Sequence, residues 1–97
     1  MSETKDVQEL TKAIANLKTK EECKQFLLDL CTPAEIQAMA DRWKAARLLQ
    51  AGLSYREIYE KSGVSTATVT RVARCLTLGA GGYRLMLDRL RAEKEAR

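Results

Sequence analysis

The stretch that most limits the fold runs from Leu53 to Leu76, LSYREIYEKSGVSTATVTRVARCL, because it specifies two short helices and the turn between them. Ser54 and Glu57 have the spacing of a capping box, which predicts the start of the first helix. Gly63 predicts the end of that helix, since a left-handed backbone is nearly free only for glycine.

The second helix of this stretch has one apolar side and one polar side. Ser65 or Thr66 caps its start. Apolar residues recur at i, i+3 and i+7, as Val69, Val72 and Leu76, and this spacing predicts a buried face. The residues near or on the outward face are Thr66, Ala67, Thr70, Arg71 and Arg74. The pattern predicts a helix-turn-helix at about residues 54–78, with its second helix in the major groove of DNA.

Two positions depart from the usual helix-turn-helix pattern. Tyr59 stands where a small residue commonly lets the two helices approach closely, and Ser62 stands where an apolar residue is common. An ordinary helical hairpin in a small bundle is therefore the alternative interpretation of the same stretch.

Composition and charge set the class of protein. The 97 residues are 45% hydrophobic and 31% charged, which indicates a single globular domain over residues 1–97. One proline and five glycines leave long stretches free to be helical, so an all-α fold is predicted. Residues 1–41 contain five Lys/Arg and eight Asp/Glu, whereas residues 42–97 contain twelve and five, a net charge of +7. This positive half includes the helix-turn-helix and favours phosphate binding over an ordinary solvated surface.

An amphipathic helix is predicted near the N-terminus. Its apolar residues at helical spacing are Val7, Leu10, Ala13, Ile14 and Leu17. The stripe is too narrow for a core element, so residues 1–18 are interpreted as a dimerisation helix or a flexible helix, with residues 1–6 frayed. Uncovered stripes favour a homodimer, which suits DNA recognition because two copies read half-sites about one helical turn apart.

Three further helices complete a predicted set of six. Thr19 and Glu22 have the spacing of another capping box, which predicts the start of a helix at this point. Thr32 followed by Pro33 starts a long helix that runs to about residue 51, and Trp43 on its inner face is expected to anchor the core. A glycine-rich joint at residues 79–82 precedes a last helix at about residues 83–93, with a frayed end beyond it.

Several classes of site are not predicted. Cys23, Cys31 and Cys75 are odd in number and lack metal-ligand spacing, so we expect reduced thiols in a cytoplasmic protein and no metal site. A redox switch at Cys75 is the alternative to a packed cysteine. The chain has no histidine and no nucleophile motif, and an enzyme is not predicted. No signal peptide or long apolar segment points to a membrane.

The run LLDLCTPAEIQAMADRWKAARLLQAGLSYREIYEKSGVSTATVTRVARCL, residues 27–76, resembles the Trp repressor superfamily, and most closely its Trp-repressor-like YerC/YecD family. The matching features are the Thr-Pro start of a long helix, the segment Gly-Leu-Ser-x-Arg-Glu-Ile and the segment Ala-Thr-Val-Thr-Arg. The resemblance covers roughly residues 20 to 90. It implies an intertwined, six-helix homodimer that binds operator DNA.

The same resemblance implies roles for individual residues. Arg56 corresponds to a residue that contacts a base directly. The expected DNA-binding set is Arg56, Thr66, Ala67, Thr68, Thr70, Arg71 and Arg74. Arg42 and Arg71 correspond to the arginines that sandwich the indole of bound tryptophan, and Thr32 and Thr68 correspond to threonines of that ligand pocket.

The pocket departs from the family pattern. Val72 replaces a glycine that leaves room for the indole, and Cys75 replaces a serine that faces the ligand ammonium. Asp29 and Cys31 replace apolar pocket residues. We therefore predict that tryptophan binds weakly or not at all and that no cofactor is needed, with a different small corepressor as the alternative. Arg42 and Arg71 would then contact phosphate or form ion pairs in the dimer.

The leading functional prediction is a sequence-specific, double-stranded-DNA-binding transcriptional repressor in the bacterial cytoplasm, associated with the nucleoid when bound to DNA. One alternative is a DNA-targeting module of a transposase or replication-initiator type. Another is a helical adaptor that binds proteins through the N-terminal amphipathic helix.

Overall fold

A computed structural model of the protein describes residues 4–96, and within this range all regular secondary structure is α-helical. The six helices are α1 (Lys5–Ala15), α2 (Lys20–Leu30), α3 (Pro33–Gln50), α4 (Tyr55–Ser62), α5 (Thr66–Leu78) and α6 (Gly82–Glu95). Contacts divide the chain into two units, Met1–Ile36 and Gln37–Arg97. The all-α, six-helix prediction is confirmed, and the single domain over residues 1–97 stays a prediction.

Side-chain caps explain where most helices begin. Five helices follow a serine or threonine whose hydroxyl accepts a backbone N–H of the first turn: Thr4, Thr19, Thr32, Ser54 and Ser65. At Thr32 the cap is reciprocal, because its N–H donates to the Glu35 carboxylate at 2.8 Å. At Thr19 it is not, since the Glu22 carboxylate accepts from the N–H of Lys18.

The first unit holds α1 and α2, and neither helix has a buried residue. The apolar stripe of α1 is solvent-exposed at Val7, Leu10 and Ile14. The expected fraying of residues 1–6 is wrong for Lys5 and Asp6, which already belong to α1, and residues 1–3 lie outside the described residues. At the other end, α6 runs to Glu95 rather than fraying after residue 93.

The second unit contains the core. Its buried side chains come from α3, the helix-turn-helix and α6: Ala45, Ala46, Ile58, Val64, Val69, Val72 and Leu87. Two adjacent alanines on α3 leave little bulk on that helix where it meets the core. Trp43 packs against this cluster, as predicted for the inner face of α3, but its side chain is only half-buried.

Between residues 4 and 96, none of the helices is both long enough and apolar enough to cross a lipid bilayer.

Candidate nucleic-acid interface

The helix α4 begins at the predicted capping box of Ser54 and Glu57 and ends at Gly63, as the sequence pattern predicted. Ser54 Oγ accepts the N–H of Glu57 at 3.2 Å, and the Glu57 carboxylate accepts the N–H of Ser54 at 2.9 Å. The backbone and side-chain hydrogen bonds from Ser54 lower the pKa of Glu57 because they favour the ionised carboxylate. Gly63 ends α4 at φ 75°, and its N–H donates to the Tyr59 carbonyl at 2.8 Å.

The two departures from the motif are accommodated without loss of the turn. The Ser62 hydroxyl donates to the Ile58 carbonyl and accepts the N–H of Val64 at 3.2 Å, so it ties the end of α4 to the turn. Tyr59 is 56% exposed, and its ring does not fill the contact between α4 and α5. The buried contact at this corner is made by Ile58 and Val64 instead.

The predicted recognition helix, α5, has the two sides that its sequence indicates. Val69 and Val72 are fully buried in the core, whereas Leu76 is only half-buried. The residues exposed on its other side are Thr66, Ala67, Thr70, Arg71 and Arg74. A polar helix side supported by buried valines is the arrangement that a groove-reading helix requires.

Hydrogen bonds within α5 limit what its threonines can offer a ligand. The Thr70 hydroxyl donates to the Thr66 carbonyl at 2.8 Å, which leaves its oxygen as an acceptor and its methyl group exposed. Those groups suit a base amino group or a thymine methyl. Thr68 is half-buried, and its hydroxyl accepts from Ser65 Oγ at 3.0 Å. Thr68 therefore belongs to the helix cap more than to the open surface.

Arg56 lies in the first turn of α4 and forms an ion pair with Glu60, which the sequence analysis did not identify. Its Nε donates to Oε1 of Glu60 at 3.1 Å, and the two side chains are 88% and 60% exposed. The i, i+4 spacing of the two residues on a predicted helix is the signal that could have identified this pair.

The residues that the resemblance assigns to a tryptophan pocket differ from one another in burial and location. Val72 is 1% exposed, so its side chain fills core space rather than lining a cavity. Arg42 is half-buried and Arg71 is exposed. Thr32 caps α3 in the first unit. Cys75 is a free, half-buried thiol, as are the other two cysteines.

A shallow cavity of about 450 Å³ opens in the second unit, where α3, the end of α5 and the start of α6 meet. Its lining is almost wholly apolar and consists of Trp43, Cys75, Gly79, Ala80, Gly81, Gly82, Tyr83 and Met86. The Trp43 and Tyr83 rings are nearly parallel, with centroids 6.5 Å apart. These two rings come from positions forty residues apart, and no local sequence signal connects them.

Comparisons with known proteins agree on one family. The sequence model described as "Trp repressor protein" matches residues 5–91. YerC of Bacillus subtilis (strain 168) is 45% identical over 87 residues, which covers 90% of this chain and 84% of that protein. A crystal structure of a candidate Trp repressor from Staphylococcus aureus has a TM-score of 0.86 and 42% identity, over 92% of this chain and 89% of that one. A TrpR like protein from Eubacterium eligens ATCC 27750 has a TM-score of 0.85 and 40% identity, over 91% of each chain.

Proposed function

The chain belongs to the Trp repressor protein family, and from this premise we propose that it is a sequence-specific, double-stranded-DNA-binding transcriptional repressor. It acts as a homodimer in the bacterial cytoplasm and does not require tryptophan. In this proposal the protein is a binding protein and not an enzyme.

The observation that carries the proposal is the exposed threonine–arginine side of α5. Buried Val69 and Val72 hold this helix against the core, so its outward side is presented as a rigid unit. In this proposal the exposed Thr66, Ala67 and Thr70 meet base edges in the major groove, and Arg56 reaches the DNA from α4. Thr68 contributes by fixing the start of α5 through Ser65.

Phosphate contacts supply the rest of the affinity. Arg71 and Arg74 are exposed on α5, and residues 42–97 hold twelve Lys/Arg against five Asp/Glu. Each phosphate neutralised by such a side chain releases counterions, so binding weakens as salt is raised. Arg71 and Arg74 therefore position the protein on DNA without selecting a sequence.

The dimer covers apolar surface that one copy leaves open. Beyond the stripe of α1, large side chains of α2 and α6 are exposed, namely Leu27, Leu28, Leu30, Leu85, Met86 and Leu90. Patches of this kind mark contact surfaces for another chain. A second copy also supplies a second recognition helix, which doubles the contacts with DNA.

Independence from tryptophan is supported by the burial of Val72. The branched Val72 side chain occupies core space where the family pattern has a glycine, and opening a hollow there would disrupt the cluster that Val72 forms with Val69 and Ile58. We expect isothermal titration with free tryptophan to give no binding heat. Saturable binding at micromolar concentrations would contradict this part of the proposal.

The test of DNA recognition is selection of bound duplexes from a randomised pool, followed by titration of the selected duplex at several salt concentrations. We expect a retained sequence, and an affinity that falls steeply as salt is raised. Selection with and without tryptophan should retain the same sequence. A pool that stays random, or an affinity that does not change with salt, would reject the proposal.

Alanine substitutions separate the two kinds of contact. Thr70→Ala or Arg56→Ala is expected to relax preference at one base position, by about 1–3 kcal/mol for a good bidentate contact. Arg71→Ala or Arg74→Ala is expected to weaken binding to all duplexes alike. Lys12→Ala on the polar side of α1 is the control, because it removes the same charge from a residue outside the helix-turn-helix and outside the apolar faces assigned to the dimer.

A further inference from the structure

An arginine and a glutamate one helical turn apart on α4 form the single ion pair found within residues 4–96. Arg56 Nε lies 3.1 Å from Glu60 Oε1, and both side chains are largely exposed. Exposed pairs of this kind add little to folding stability. Helix stability alone therefore does not explain why a carboxylate, that of Glu60, lies in the positively charged half of the chain.

The hydrogen bond to Glu60 fixes which edge of the Arg56 guanidinium is available. A guanidinium has five N–H donors in a planar fork. Because Nε donates to Glu60, the two Nη groups at the end of the fork remain to meet a ligand. Guanine presents two neutral acceptors, O6 and N7, in the major groove, and they match such a pair of donors.

The Glu60 carboxylate also discriminates between ligands by charge. The first helix of a helix-turn-helix crosses the DNA backbone, so an unrestrained arginine in its first turn has phosphate oxygens within reach. A phosphate beside Glu60 meets like-charge repulsion, whereas a guanine edge carries no net charge. The pair therefore favours a base edge over the backbone as the acceptor for Arg56.

We propose that Glu60 is a positioning residue that directs Arg56 end-on to a guanine edge and keeps it away from phosphate. This inference rests on the proposed function, because it assigns Arg56 its base contact and adds the residue that controls it. Glu60 thereby increases specificity and reduces binding to unrelated sequences.

The test is Glu60→Gln, which removes the charge while keeping the length of the side chain. Affinity is measured for a selected duplex and for a duplex of the same composition in permuted order. We expect affinity for the permuted duplex to rise about three- to tenfold, and its salt slope to steepen by about 0.9, as Arg56 gains one phosphate. The ratio of the two affinities should fall at least about threefold.

Two comparisons separate the effect of Glu60 on Arg56 from the general effect of removing one negative charge and from any effect on helix stability. In an Arg56→Ala background, Glu60→Gln should raise both affinities equally and leave their ratio unchanged. Glu9→Gln on the polar side of α1 makes the same charge change and should also leave the ratio unchanged. A merely structural pair would alter helicity, measured by circular dichroism, without altering the ratio.

The outcomes distinguish this inference from the proposed function. If the wild-type protein prefers the selected duplex and Glu60→Gln leaves the ratio unchanged, the positioning role is wrong and sequence recognition stands. The same conclusion follows if Glu60→Gln lowers the ratio equally with and without Arg56. If the wild-type protein has no duplex preference, the proposed function is wrong and the inference falls with it.

Discussion

Helices α1 and α5 are both amphipathic, but their apolar sides meet different surroundings. The valines of α5 are buried against Ile58 and Leu87, whereas Val7, Leu10 and Ile14 of α1 are exposed. The helix-turn-helix therefore contains its own packing partners within the second unit. The apolar stripe of α1 remains exposed and is available to another chain. The following predictions test this difference between α5, which is packed within the chain, and α1, which is not.

The largest expected effect comes from deleting the same side chain in the two regions. Ile58 is 0% exposed and Ile14 is 50% exposed. Ile58→Ala should lower the free energy of unfolding by about 2–5 kcal/mol at every protein concentration, because it leaves a cavity in the core. Ile14→Ala should have an effect that depends on protein concentration, because its partner is a second copy. Urea denaturation at two concentrations, about a hundredfold apart, measures both.

Equal, concentration-independent losses for the two isoleucine variants would remove the contrast between the regions. A negligible loss for Ile58→Ala would instead show that the core is not where the structure places it.

A smaller effect is expected on the dimer itself. Leu10→Ser should weaken self-association by about 10- to 100-fold, since burying a leucine contributes roughly 1.5–3 kcal/mol. Gln8→Ser, on the polar side of the same helix, is the control and should leave self-association unchanged. Light scattering coupled to size exclusion gives the mass of each variant across a dilution series. A dimer that is equally stable with Leu10→Ser would assign the stripe of α1 to a different kind of partner.

The turn of the helix-turn-helix gives a third, more local effect. Gly63 has φ 75° with open space around it, so Gly63→Ala is strained by its backbone and not by contacts. We expect a loss of about 1–2 kcal/mol in the free energy of unfolding. Gly82→Ala is the matched control, because it meets no atom within 4 Å and has no positive φ. A loss at Gly82 as large as that at Gly63 would contradict this explanation of the turn.

The smallest effect concerns the carboxylates at helix starts in the two units. Hydrogen bonds from Thr32 and Ser54 lower the pKa of Glu35 and Glu57, respectively. A lowered folded-state pKa gives stability that is present above the ordinary glutamate pKa of about 4.3 and is lost as pH falls through the lower value. Glu57→Gln should therefore flatten the acid side of a plot of melting temperature against pH. An unchanged acid limb would show that this cap adds nothing in solution.

Local patterns predicted most of the second unit. The cap at Ser54, the left-handed Gly63 and the buried Val69 and Val72 all follow from spacings within one or two helical turns, so the sequence was sufficient. The Trp43–Tyr83 stack was not predictable, because it joins residues whose proximity depends on the whole fold. Trp43 was expected to anchor the core, and it packs against the core cluster. Its half-buried state was not predictable, because hydrophobicity indicates burial without specifying how many neighbours surround a ring.

The candidate site divides in the same way. The outward position of Thr70 and Arg71 followed from helical periodicity. The hydrogen bonds of the Thr68 and Thr70 hydroxyl groups could not be predicted, because they depend on side-chain rotamers. In the proposed function, those bonds determine which threonine atoms remain available to contact a base. The ion pair between Arg56 and Glu60 could have been predicted, because oppositely charged residues four positions apart on a helix lie on the same face.

Nuclear magnetic resonance can show whether the outward side of α5 contacts DNA, as we propose. Amide and side-chain signals of the labelled protein are followed while a selected duplex is added. If α5 reads DNA, we expect the largest shifts at Thr66, Ala67, Thr70 and Arg71, with smaller ones on α4 at Arg56. Shifts concentrated on α1 or α6, with the signals of α5 unchanged, would contradict it.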